Sequence, residues 1–487
     1  MVGRVVGSCR WTLVAVAFTI SCSPAEVRAK TLYVNAQAGN DAISYAENSA
    51  AKPWRSIGRA AWGTVERGTE NASEAARAGD VVQIAGGTYT TTGNLTGGGG
   101  GRQDVAYNPA NSGTAAQPIR FQCIGECRLT FSSGAGPMIG ATERHFIEWA
   151  GFTIDEATAP TRSDTGPVTF FRVSGGAIES STLVGNPNWT ARNGDNYNGI
   201  RLEDAHGVRI VNNLIRDYGG QGGDRNHAGI TTYRSVPVLI EHNEVVNCGS
   251  GIYLKAAADR PETGRVRFNI IRENRLGLNV LLQPMTEEQP LLIHQNLFIG
   301  NREAGLWINQ FENGPNDAKW VRFFNNTLVD NVSGIASYNG TVFPAGAHFL
   351  FWNNIVAGSG SRIRQDTGDA KANNEKDRHD FDYNVYAPGQ WEISGRSQSL
   401  SSLRDLGQDR HSVIENPRFA SPTSYLLAPA SPARTVGRAL YGIGGAAGTS
   451  IPAGAYITGD EVIGRTTPTR PAPGAGDQPR AIQPGQE

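Results

Sequence analysis

Long apolar runs are nearly absent from this 487-residue chain. The one clear run, Trp11 to Ile20 (WTLVAVAFTI), has ten residues, whereas a membrane-spanning helix needs about 20. It follows Arg4 and Arg10 and precedes Val27-Arg28-Ala29, a small-residue cleavage pattern. Residues 1–29 are therefore expected to be an export signal and the chain to be secreted or periplasmic. Lipid anchoring at Cys22 is the lesser alternative, because Thr19-Ile20-Ser21 makes a poor lipobox. An excess of one charge is also lacking, with 44 Lys and Arg against 45 Asp and Glu. That removes the electrostatic footprint of a nucleic-acid binder. Cysteines number five, with no zinc-like Cys/His spacing. Cys123 and Cys127 bracket Ile-Gly-Glu and are able to pair in an oxidising compartment, while Cys248 reads as a buried small hydrophobe. Lysine is scarce, six residues against 38 Arg. A Lys retained in such a chain stands out, because Arg effectively never gives up its proton.

Glycine, by contrast, is abundant, with 60 residues. From residue 199 onward a Gly and an aliphatic residue open a short strand at Gly199, Gly229, Gly251, Gly277, Gly305 and Gly334, in steps of 30, 22, 26, 28 and 29. A second strand in each unit ends in Asn, at Asn213, Asn243, Asn269, Asn296, Asn326, Asn354 and Asn384. Two registers share one period, and neither carries helical apolar spacing. A unit of two or three short strands cannot bury its apolar face alone, but stacked units can. The expected fold is all-β, a right-handed parallel β-helix of roughly ten or more coils. The Asn residues are read as structural, turned inward at a corner where they bond to each other and tolerate a left-handed backbone. The expected plan is an N-terminal cap with first coils over 30–117, the β-helix over 118–440, an extension over 441–465 and a Pro-, Gly- and Gln-rich disordered tail over 466–487.

The segments TLYVNAQAGNDA, AKPWRSIGRAAW and AGDVVQIAGGTY (31–42, 51–62, 78–89) resemble the N-terminal capping block of secreted pectate-lyase-like β-helix proteins, notably family-nine polysaccharide lyases. DYNVYAPGQW, LGQDRHSVIENPRF and LLAPASPA resemble the C-terminal end of the same group. The resemblance covers most of 31–440. It implies the fold, and it implies a Lys base on a β-helix strand. It does not choose a reaction, because this architecture carries lyases, hydrolases, epimerases and adhesins alike. The DPHD signature of alginate-type epimerases and the residue set of pectin-hydrolysing β-helices are missing, as are P-loop, G-x-S-x-G and H-E-x-x-H motifs.

Alternation after each repeat Gly points positions one and three inward and positions two and four outward. One outward column holds Arg201, Thr231, Tyr253, Asn279 and Trp307, and the other holds Glu203, Tyr233, Lys255, Leu281 and Asn309, with Arg234 at a strand end. Aromatic faces with both charge signs suit an acidic polysaccharide. The plainer alternative is strand propensity under a covering loop. Lys255, mid-strand beside Tyr233, is the expected base, since desolvation there would lower its pKa. Arg234, Arg201 or a Ca²⁺ held near Asp217 and Asp224 would neutralise the uronate carboxylate. Arg201, Glu203, Tyr233, Tyr253, Trp307 and Asn309 would bind sugar. The Gly-rich loop from Asp217 through Asp224 to His227 is a second candidate, for Ca²⁺ at Asp217 and Asp224 or for acid–base work by His227. Along a straight strand His227 and Lys255 would lie about 20 Å apart, unless the loop folds back. The expected function is β-elimination of a uronate polysaccharide by a monomeric enzyme. The alternatives are a glycoside hydrolase using a pair among Glu203, Asp204, Asp217 and Asp224, or a non-catalytic carbohydrate-binding surface.

Overall fold

In the computed structural model, residues 29–92, 104–133, 136–157, 166–189, 196–220, 225–235, 239–255, 264–281, 286–309, 319–337, 347–358, 361–365, 379–393, 396–405 and 407–466 are described. The expected signal segment up to residue 28, the Pro-rich tail from residue 467, and Asp224 lie outside them. Asn309 is described as strand backbone, without its side chain. No helix among the described residues is long and apolar enough to cross a membrane.

The repeats fold as a parallel β-helix. Each coil contributes one strand to a sheet of ten parallel strands closed by an antiparallel one, and two strands to a second, larger sheet folded at a corner. About seven coils follow this three-strand plan. The expected ten or more differs slightly from this count, because earlier turns run as long strands such as Val81–Thr92 and Ile119–Ser133 and depart from the three-strand plan. The N-terminal end is closed by the helix Ile57–Trp62, capped by the Ser56 side chain, which joins the apolar interior through Ile57, Ala60 and Trp62. Five strands of the ten-strand sheet carry the candidate site: β1 (Asn198–Glu203), β2 (Ala228–Tyr233), β3 (Ser250–Lys255), β4 (Leu276–Leu281) and β5 (Ala304–Asn309). Their register places Glu203, Tyr233 and Lys255 side by side, and Arg201, Thr231, Tyr253, Asn279 and Trp307 in the neighbouring row.

The Asn period is a hydrogen-bonded ladder. Asn243 donates its backbone N–H at 2.9 Å and its side-chain amide at 3.0 Å to Asn269 Oδ1, and the same pattern runs from Asn213 to Asn384. The left-handed backbone belongs to the residue before each ladder Asn, such as His242 (φ 56°) or Gln295 (φ 55°), and not to the Asn itself. The ladder starts at the Ser181 N–H and ends at Ser412 and the buried Asp409 carboxyl. A second, shorter ladder runs through Asn274, Asn301 and Asn331 at the next corner, starting from the Cys248 N–H. It explains the repeat Gly. A Cβ on Gly251 would lie 2.6 Å from the Gly277 carbonyl oxygen and 2.9 Å from the Asn274 amide nitrogen, and one on Gly277 would lie 2.4 Å from the Gly305 oxygen. Coils stack too closely there for any side chain.

The interior ladder carries a stability prediction. Asn269→Ala removes an amide that donates to Ile240 O, Arg267 O and Asn296 Oδ1, and leaves the buried Asn243 N–H without its acceptor. The expected cost is about 2–3 kcal/mol, read as lower thermal and urea midpoints. An unchanged midpoint would mean that the amides contribute nothing net.

After Arg438 the chain reverses along the solenoid. Asn353 exchanges hydrogen bonds with Arg438, Gly464 N–H donates to Phe268 O, and Thr466 N–H donates to Asn212 Oδ1. The segment expected as a C-terminal extension is thus a strap laid over successive corners. Cys123 and Cys127 form a disulfide. Cys248 is fully buried and free, its thiol pushed up to about 12 by burial.

Candidate functional site

Inward positions behave as the alternation requires, with Ile200, Leu202, Ile252, Leu278 and Leu306 fully buried. The first outward row differs from expectation, because it faces away from the core yet is covered. Tyr253 and Trp307 keep only 6% and 5% exposure, and Arg201 keeps 6%. Thr231 and Asn279 are wholly buried. Over Trp307 the cover comes from Arg225, at the described end of the Gly-rich loop. The Ser250 hydroxyl donates to Arg225 O at 2.7 Å, and the Arg225 guanidinium lies 4.1 Å from the Trp307 ring centre and pairs with Glu303. Sugar stacking directly on Trp307 would require Arg225 to move.

The second row remains partly open and holds the cluster of interest. Lys255 Nζ donates to Tyr233 Oη, to Asn226 Oδ1 at 3.0 Å and to Asn196 Oδ1 at 3.3 Å. Tyr233 Oη in turn donates to Asn196 Oδ1 at 2.9 Å. The Lys255 amine lies 4.6 Å from the Tyr233 ring centre and 5.2 Å from that of Tyr253. The Arg201 guanidinium sits 4.4 Å from the Tyr233 ring centre and grips Glu203 through Nε at 3.2 Å and a terminal nitrogen at 2.9 Å. Both Lys255 and Tyr233 are half-buried. These named acceptors of the amine are neutral amides and a phenol, with no carboxylate among them.

Arg234 follows Tyr233 in a left-handed turn (φ 44°) and clasps Asp204 at 2.7 and 2.9 Å, with a further bond to Glu203 at 3.2 Å. The pairing holds the Asp204 carboxyl below the usual carboxylate range and raises the guanidinium pKa further. Arg234 stays half-exposed and permanently charged.

The other loop candidates are placed apart from this cluster. His227 is fully buried, its ring edge-on to Trp189 at 4.7 Å and near Tyr197, with Nδ1 3.1 Å from Gly219 O. It packs as an interior histidine and offers no face to a substrate, although its neighbour Asn226 reaches Lys255. The loop therefore does fold back, and the separation expected from a straight strand does not hold for it. Asp217 sits at a corner (φ 68°), paired with Arg216 and accepting from Asn247 at 2.8 Å. It lines a cavity of about 590 Å³ with Pro187, Gly219, Arg275 and Arg302, at the N-terminal rim of the sheet. Among the described residues no three His, Cys, Asp or Glu side chains gather to hold a metal. Asp217 has the Arg216 guanidinium beside it, and its expected partner Asp224 lies outside the described residues. Sequence reasoning passed over Asn226. The signal was the run of glycines before Asn226 in the sequence.

A family model described as periplasmic copper-binding protein (NosD) matches residues 179–375. No curated protein matches the chain. Among solved structures, pectate lyase Pel9A superposes with a TM-score of 0.51 at 15% identity, covering 91% of this chain and 98% of that one. XylC in complex with xylose gives 0.46 at 12% identity, covering 80% and 87%. A rhamnogalacturonan lyase gives 0.37 at 14% identity, covering 69% and 84%. In fold the chain is a pectate-lyase-like β-helix.

Proposed function

We propose that the chain is an exported polysaccharide lyase that cleaves a uronate-containing polymer by β-elimination, with Lys255 as the base. The observation that carries this is the Lys255 amine, half-buried on the sheet face and held by Tyr233, Asn226 and Asn196. In the reaction the neutral amine takes the C5 proton of the uronate. The C5–H electrons form the C4–C5 double bond, and the C4–O4 bond breaks. Arg234, exposed and permanently charged, is the cation assigned to the uronate carboxylate, where it stabilises the charge that develops as C5 loses its proton. The site is close to neutral overall, since Arg201 and Arg234 face Glu203 and Asp204.

The hydrolase alternative needs one carboxyl that stays protonated. Glu203 and Asp204 are gripped by guanidinium groups, and Asp204 is held in its ionised form, which favours the lyase. The apolar segment before residue 30 and the periplasmic family matched over 179–375 support an exported location.

The test is a screen of uronate polymers, read by ultraviolet absorbance of the new double bond and by reducing ends. Absorbance growing with reducing ends is the expected outcome. Reducing ends without absorbance would make the chain a hydrolase, and binding with neither signal would make it a binding protein. Calcium is a separate arm. Activity is expected to survive exhaustive chelation, because Arg216 and Asn247 occupy the Asp217 carboxylate. Loss on chelation, restored by Ca²⁺, would assign neutralisation to a metal instead.

A further inference from the structure

We infer that Tyr233 is the catalytic acid of the same site, paired with Lys255 in one proton-sharing unit; the inference rests on the lyase reading. β-Elimination needs two proton transfers, one from C5 and one to the departing O4, and a base alone supplies only the first. Tyr233 Oη is in hydrogen-bond contact with Lys255 Nζ, and the two residues are direct partners across β2 and β3. A hydroxyl so placed reaches the same sugar ring as the amine. The phenol is also prepared to carry negative charge. Arg201 lies 4.4 Å from its ring centre, the Lys255 amine touches its oxygen, and Asn196 Oδ1 fixes the hydroxyl direction at 2.9 Å.

The cycle closes within the pair. The Lys255 amine takes the C5 proton and becomes ammonium. As the C4–O4 bond breaks, Tyr233 gives its proton to O4 and becomes phenolate. The Lys255 ammonium then returns a proton to the Tyr233 oxygen across their hydrogen bond. The amine and the phenol are restored without a proton from solvent, and the products are a 4,5-unsaturated uronide and a new reducing end, whose anomeric hydroxyl carries the former O4.

The experiment compares Tyr233→Phe and Lys255→Met with the full-length protein on two substrates. One is the uronate polymer identified by the screen. The other is a synthetic uronide bearing fluoride at C4, which leaves as an anion and needs no acid. Tyr233→Phe is expected to lose about 10²-fold or more in kcat on the polymer, the scale of one lost acid–base group. It should keep most of its turnover on the fluoride and lose the alkaline limb of the pH–rate profile. Lys255→Met should fail on both substrates. Equal losses of Tyr233→Phe on both substrates would mark Tyr233 as a positioning residue and overturn the inference. Wild-type polymer turnover with an unchanged pH profile would overturn it as well. If Lys255→Met itself retains turnover, the lyase reading falls, and the two failures remain distinct. Should Tyr233→Phe not fold, a wild-type profile without an alkaline limb would by itself overturn the proposal.

Discussion

Lys255→Met is expected to lower kcat by roughly 10²–10⁴, about 3–5 kcal/mol of transition-state stabilisation, with little change in melting temperature. The thermal part follows from geometry. The side chain lies outside the coil, so its loss opens no interior cavity of the kind that makes core truncations costly. What it gives up is a set of hydrogen bonds to Tyr233, Asn226 and Asn196, each of which keeps access to water or to one of the others. The kinetic part follows from the reaction, since no other amine of the described residues lies in this row. Lys255→Arg keeps a cation with similar reach. It should still fail nearly as badly, because a guanidinium does not yield the free base at neutral pH. If Lys255→Arg retained wild-type turnover, the side chain would be serving as a charge and not as a base. Substrate affinity should fall less than turnover in either variant, since proton abstraction is felt only in the transition state.

The β-helix was legible because its constraints recur in every coil. Gly is forced where a coil stacks on the next, as at Gly251, and Asn where a corner needs an acceptor for the preceding coil, as at Asn269. Both leave a period in the chain. The second ladder escaped notice because Asn274, Asn301 and Asn331 hold it for three coils only, while Cys248 occupies the place before them. Lys255 was legible through rarity and strand position. The cover over Trp307 was not, because alternation tells which way a side chain points and says nothing about what lies over it. That cover depends on the path of a Gly-rich loop, which is a tertiary fact. The pairing of Asp217 with Arg216 was not legible either, because adjacency in the chain does not say which partner a carboxylate takes.

The largest effect expected on stability is acid-driven and centres on His294. The ring is fully buried against Phe324 at 5.1 Å and Phe268 at 6.2 Å, with Nδ1 3.1 Å from Gln295 Oε1. Burial, aided by Arg265 and Arg267, depresses its pKa to about 3. A histidine whose folded pKa lies below its unfolded value near 6.5 contributes stability that is complete above the unfolded value. That contribution is lost as pH falls through the folded one. The window is therefore pH 6.5 down to 3, at up to about 1.4 kcal/mol per unit. His242, stacked on Phe268 one coil earlier and lowered by burial beneath the C-terminal strap, adds in the same direction. Asp409 acts oppositely. Burial pushes its carboxyl up to about 6, so its contribution is present below its ordinary pKa and fades as pH rises through 6. The whole-protein curve thus mixes opposing slopes, and a difference between two proteins isolates one of them. In His294→Phe the ring still stacks on Phe324 and meets Phe268 edge-on but no longer titrates. The stability of the wild type relative to His294→Phe should fall by about 2–3 kcal/mol between pH 6.5 and 4.5, measured by urea unfolding at fixed ionic strength, with Asp409 and His242 cancelling in the difference. Parallel curves across that range would show that His294 is protonated as readily folded as unfolded, and that acid reaches the corner beneath the strap without opening it.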